Sequence, residues 1–117
     1  MRTTLVLLSL SVLALTSCGS ATPATRAQTI AALTGVAATG QTLYMQQCVS
    51  CHGPAGDATT ASTDNKSMVA YVKANNAETV IGILVDGVPS TSMVSFAALS
   101  NQNLADLYAY VKNTLAK

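Results

Sequence analysis

The sequence predicts an all-α fold, on three observations. Apolar residues recur at three- and four-residue spacings, most clearly as Leu104, Leu107, Tyr108, Val111 and Leu115, the stripe of an amphipathic helix. Caps and breakers stand where such segments should begin and end, with Ser100 before that stripe and Gly53-Pro54 after an earlier one. No segment alternates apolar and polar residues with the period of two that a half-buried strand needs.

The 117 residues allow one domain and not two. With a formal net charge of +1 and only 9% charged residues, the chain carries no broad electrostatic surface for nucleic acid. Half of its residues are hydrophobic, but many are Ala, and the bulky set is one Phe, four Tyr and no Trp. So small a core gains limited apolar burial, and such domains usually need a staple or a cofactor.

Taken in order, the chain opens with Met1 and Arg2, an apolar run over residues 5–15 and then small residues. This is signal-peptide anatomy, too short for a permanent span, and it implies work outside the cytoplasm. The run ends in Leu15-Thr16-Ser17-Cys18, which resembles a bacterial lipobox. That resemblance implies that residues 1–17 are removed and that Cys18 becomes a lipidated N-terminus, with enough acyl chains to anchor firmly. It also resolves the odd cysteine count: of three Cys, Cys48 and Cys51 remain as a pair. Residues 18–38, rich in Ala and Thr, read as a flexible linker of roughly twenty residues, with a short helix candidate at 28–33.

The folded domain is expected over residues 39–117. Thr39 can cap a helix carrying Leu43, Tyr44, Gln47, Cys48 and Cys51, ended by Gly53-Pro54. After a polar loop, residues 67–74 form a short helix candidate, and Asn75 with Glu78 makes a capping pair for the next, over 77–85. Asp86-Gly87 breaks that helix, and residues 88–99 form a loop with Pro89, Met93 and Phe96. Ser100 caps the last helix.

The chemistry is concentrated in Cys48-Val49-Ser50-Cys51-His52. On a helix, positions i, i+3 and i+4 project from one face. Two thiols there can form thioethers with the two vinyl groups of one porphyrin while the adjacent imidazole ligates its iron, the c-type haem reading of C-x-x-C-H. Zinc is a rival, but it needs three or four protein ligands, and no Cys or His follows His52, so it would have to recruit a carboxylate. A redox dithiol is another, but it expects a strand-to-helix junction and a depressed thiol pKa. A haem would also account for the thin core, since the porphyrin supplies apolar surface for short helices to pack on.

Over residues 40–117 the sequence resembles a small class I cytochrome c. Gly40 and Tyr44 stand eight and four residues before Cys48, where that family carries a Gly and an aromatic residue on its first helix. The run Asp106-Leu107-Tyr108-Ala109-Tyr110-Val111-Lys112 matches the family's last helix, so Leu107 and Tyr110 are expected to pack on Gly40 and Tyr44 where the two terminal helices cross. Met45, Met68 and Met93 are the candidates for a sixth iron ligand. The setting of Met93, in a loop opened by Gly87-Val88-Pro89 and followed by Phe96 and Leu99-Ser100, resembles the family's distal loop and implies that Met93 is the ligand. Two positions depart from the family: Val94 stands where Pro commonly follows the ligand Met, and Pro54 is the only Pro between His52 and Pro89. A backbone carbonyl in residues 55–61 is then expected to take the His52 imidazole N–H.

The resemblance implies a haem c bound by Cys48, Cys51, His52 and Met93, both axial positions filled, and one-electron transfer between extracytoplasmic redox proteins. No small-molecule substrate and no catalytic residue are expected. The membrane would be met through Cys18, facing the periplasm or cell exterior. The alternative is a haem enzyme or gas sensor with an open sixth position, and the protein is either a free carrier or a lasting subunit beside an oxidase or dehydrogenase.

Overall fold

The computed structural model describes residues 24–58 and 67–117. The expected signal peptide and Cys18 lie outside the described residues. The described chain is helical, without strands: α1 (Arg26–Ala31), α2 (Ala37–Gln47), α3 (Val49–His52), α4 (Met68–Ala74), α5 (Ala77–Asp86), α6 (Asn101–Tyr110) and a closing π turn (Val111–Leu115).

The first finding corrects the linker. Thr25 and Gln28 form a reciprocal capping box, Gln28 N–H to Thr25 Oγ1 at 3.2 Å and Thr25 N–H to Gln28 Oε1 at 2.8 Å. The helix they start packs against α5 and α6 and buries Ile30 completely. From α1 onward, residues 18–38 therefore belong to the folded unit. Ile30 is the one fully buried side chain of this helix, and hydrogen bonds from Arg26 to Ala97, Leu99 and Asn101 hold its start.

α2 begins at Ala37, ahead of the expected Thr39 cap, and Thr39 sits exposed in its first turn. Val36 is the N-cap and has no capping side chain of its own. Its amide donates instead to Asp106 Oδ1 on α6 at 2.8 Å, and the same oxygen accepts from Gln102 Nε2 at 2.8 Å. A buried carboxylate thus serves as a tertiary cap, with both of its donors supplied by the protein.

The expected crossing of α2 and α6 is present. A Cβ at Gly40 would run into the Asp106 carbonyl and lie 2.9 Å from Tyr110 Cβ, so only glycine permits this approach. Tyr44 and Tyr110 pack with ring centroids 5.4 Å apart and planes tilted by 55°, and Leu107 is fully buried.

Ser67 caps α4 through the Ala70 amide at 3.2 Å. Asn76, rather than Asn75, caps α5, through the Thr79 amide at 2.9 Å. Asn75 closes α4 by donating from its side chain to the Tyr71 carbonyl at 2.9 Å. Val72, Val80, Ile81 and Leu84 fill the core from these two helices. Ser100 caps α6 through the Asn103 amide at 3.1 Å, and the last stripe widens into the π turn, which keeps Val111 buried.

Candidate functional site

The C-x-x-C-H segment does not lie on one straight helix. Cys48 ends α2, donating its amide to the Tyr44 carbonyl at 2.9 Å, and its φ of −119° turns the chain into α3. Its own carbonyl accepts the amides of Cys51 at 3.1 Å and His52 at 2.9 Å. Gly53 then ends α3 with φ +73°, a left-handed conformation glycine takes without steric cost. Its carbonyl is held by the Tyr44 hydroxyl at 2.6 Å, so α2 fixes both ends of the segment.

The kink still brings Cys48, Cys51 and His52 onto one cleft, which they line with Met93, Val94 and Phe96. A larger cavity of about 770 Å³ adjoins it, walled by Val72, Val80, Leu84, Tyr108 and Val111 among others. This volume lies within the roughly 300–1,000 Å³ of cofactor and ligand sites. His52 and Met93 border both spaces.

Nδ1 of His52 is buried with no hydrogen-bond partner among the described residues. The expected acceptor from residues 55–61 is thus not found among those described. Burial also pushes the imidazole below its ordinary pKa, so it is held neutral. A neutral imidazole lining the cleft beside the two cysteines fits metal ligation, which takes the unprotonated ring. Burial, with Cys51 adding to it, pushes the Cys48 thiol up to about 11, the reverse of what a redox dithiol requires. Among the described residues no group of three His, Cys, Asp or Glu side chains is arranged to hold a metal ion, so a zinc ligand set is lacking there.

Met93 is presented by a loop with its own scaffold. The Val88 amide donates to the Met93 carbonyl at 3.0 Å, and the Met93 amide donates to Thr91 Oγ1 at 3.1 Å, which itself donates to the Val88 carbonyl at 2.8 Å. Gly87, at φ +72°, allows the return strand to pass: a Cβ there would lie 2.8 Å from the Met93 oxygen and from the Ser95 nitrogen. Ser90 is also left-handed, at φ +62°. Met68 lines the larger cavity too, but a Cβ at Gly56 would lie 2.7 Å from its Cε, and the Val69 amide bonds the Gly56 carbonyl at 3.1 Å. Both contacts tie Met68 to the loop that leaves His52. Met45 is half exposed and lines neither space.

Sequence reasoning missed the Tyr44 hydroxyl, Asp106 and the hydroxyls of Thr91 and Ser95. Of these, only the Ser and Thr residues within 88–99 carry a local signal, since such hydroxyls bond nearby backbone in loops.

A family model described as cytochrome c oxidase, cbb3-type, subunit III matches residues 35–111. The chain belongs to this family. Among curated proteins and among solved structures, nothing matches. The matched span runs from Gly35, where a Cβ would strike the Ala105 carbonyl, to Val111, and so takes in the crossing, the C-x-x-C-H segment and the Met93 loop. The protein is a small monohaem cytochrome c domain with the all-α fold of that class. Its chemistry is haem-based electron transfer.

Proposed function

We propose that this cytochrome c domain holds one haem through thioethers from Cys48 and Cys51, with His52 and Met93 as axial ligands, and passes single electrons between redox proteins outside the cytoplasm. The observation that supports this reading is the pair His52 and Met93 on the border of both spaces, with Cys48 and Cys51 lining the smaller cleft beside them. Haem bound there supplies a one-electron iron couple.

The chain's residues do the rest. His52 enters as a neutral imidazole, because burial disfavours its charged form. Met93 contributes a thioether, which raises the potential relative to a second imidazole. With His52 and Met93 both ligating, the iron would offer no place to substrate or oxygen. Val72, Val80, Leu84 and Val111 give the cavity an apolar wall. The exposed edge at Cys51 and Val94, the latter 61% exposed, carries no charge and suits brief docking over long-range steering. The family's description as an oxidase subunit favours a membrane redox complex among the partners.

Export belongs to the same reading, with residues 1–17 as signal peptide and Cys18 lipidated on a membrane facing the periplasm or cell exterior. Because the chain is already packed from the Thr25 cap onward, no more than residues 19–24 would separate the anchor from the domain. Six residues reach at most about 20 Å, which keeps the domain at the membrane surface and raises its effective concentration toward membrane partners. No helix among the described residues is long and apolar enough to cross a membrane. Mass spectrometry of the mature N-terminus tests this; an unmodified Cys18 would remove the anchor.

The ligand set is tested by the optical spectrum of the oxidised protein. The long-wavelength sulfur-to-iron band is expected to vanish in Met93→Ala and to survive in Met68→Ala. A high-spin spectrum with ready cyanide or carbon monoxide binding would mean an open-site haem enzyme or sensor instead. Absence of covalently retained haem after acid-acetone extraction would overturn the whole reading.

A further inference from the structure

The far arm of the Met93 loop is held from α1. Arg26, the first residue of that helix, reaches it with all three guanidinium nitrogens. Nε donates to Asn101 Oδ1 at 2.9 Å, one terminal nitrogen to the Ala97 carbonyl at 2.8 Å, and the other to the Leu99 carbonyl at 2.7 Å. The near arm is held by α5, through the Phe96 amide on the Leu84 carbonyl at 2.9 Å and Ser95 Oγ on the Val85 carbonyl at 2.5 Å. The Leu99 amide bonds the Phe96 carbonyl at 2.9 Å and joins the two grips.

The placement of this arginine is specific. It stands at the N-terminus of α6, where the helix dipole disfavours a cation, and its three acceptors are all uncharged. Electrostatic attraction to the helix end therefore does not hold it there; the match between a rigid fork of donors and three fixed acceptors does. Val94 follows Met93 and no Pro lies between Pro89 and the end of the loop to stiffen it, so a restraint from outside has more to do.

We propose that Arg26 is a positioning residue for Met93: by pinning Ala97, Leu99 and Asn101 to α1, it limits how far the loop opens and hence how readily the Met93 sulfur leaves the iron. This rests on the reading of Met93 as axial ligand. It makes α1, a segment that reads as linker in the sequence, part of the machinery of the distal site.

The test uses the haem-loaded full chain. Excess imidazole is added to the oxidised protein, and displacement of the Met93 sulfur is followed by loss of the sulfur-to-iron band. Arg26→Gln removes the fork of three donors and is expected to speed displacement roughly tenfold or more, since losing even one hydrogen bond to a charged group can amount to about that. Arg26→Lys keeps the charge without the fork and should fall between, and Asn101→Ala, which removes one acceptor of three, should have a smaller effect. Amide hydrogen exchange is expected to accelerate at Phe96 and Leu99 in Arg26→Gln and to stay unchanged at Cys48. A parental displacement rate, or equal acceleration at Cys48, overturns the proposal, the latter because it would mean general loosening. Met93→Ala separates the two readings: if it keeps the band, the Met93 assignment fails and this one with it. If it loses the band while Arg26→Gln leaves the rate unchanged, the Arg26 proposal alone fails. Should Arg26→Gln not take up haem, Arg26→Lys and Asn101→Ala decide by the same two readouts.

Discussion

Replacing Tyr44 with Phe takes one oxygen from behind the C-x-x-C-H segment and leaves the ring in position. That oxygen donates at 2.6 Å to the Gly53 carbonyl, and both residues are buried. A net hydrogen bond contributes about 1 kcal/mol, and a buried carbonyl stranded without its donor costs about 1–3 kcal/mol. The packing of the ring on Tyr110 survives, so the loss is expected at about 1–3 kcal/mol, below the about 3–5 kcal/mol of truncating an aromatic residue to Ala. Denaturant unfolding of the haem-loaded proteins measures it as a lower midpoint at unchanged slope. The pH dependence is a second readout. Burial first, and then the titratable neighbours Cys48, Tyr110 and Asp57, hold the Tyr44 phenol well above its ordinary pKa. The folded state therefore keeps this proton at pH values where the unfolded chain has lost it. The contribution is complete below about pH 10, the ordinary value for Tyr, and is lost as the pH rises beyond it. Tyr44→Phe should remove that part of the alkaline decline. A variant with the parental midpoint and the parental alkaline slope would refute the claim that this hydroxyl holds the end of α3.

Two further pairs probe the scaffold. Gly40→Ala drives a methyl group into the Asp106 carbonyl and should cost about 1–3 kcal/mol or more through overpacking. Gly82→Ala, on α5 with nothing within 4 Å of the added carbon, should instead stabilise by about 0.5–1 kcal/mol; thermal unfolding of the two variants checks the opposite signs. Asp106→Ala strands the Val36 amide and is expected to cost about 1–3 kcal/mol, while Asp106→Asn, which keeps an acceptor oxygen, should lose less. Equal unfolding midpoints for Asp106→Ala and the parent would show that the tertiary cap contributes nothing.

The parts of this protein legible in the sequence are those whose physics acts within a turn of helix. Ser67 and Ser100 declare helix starts because a cap bonds an amide three residues on. Cys48, Cys51 and His52 declare a shared face because their spacing is helical. Errors arose where two local signals competed. Asn75 and Asn76 both qualify as caps, and the structure uses one to start α5 and the other to close α4. Thr39 looked like a cap because the true one, Val36, has no capping side chain.

The sequence by itself determined the helical class, the C-x-x-C-H segment and the residues at the helix crossing, since periodicity and short motifs suffice for these. Tertiary structure alone decided that α1 is packed, that Asp106 caps a helix 70 residues away and that Arg26 grips the loop carrying Met93. Each of these depends on a donor meeting an acceptor, or a Cβ meeting a backbone, across the fold. Their partners lie too far along the chain for any local pattern to encode.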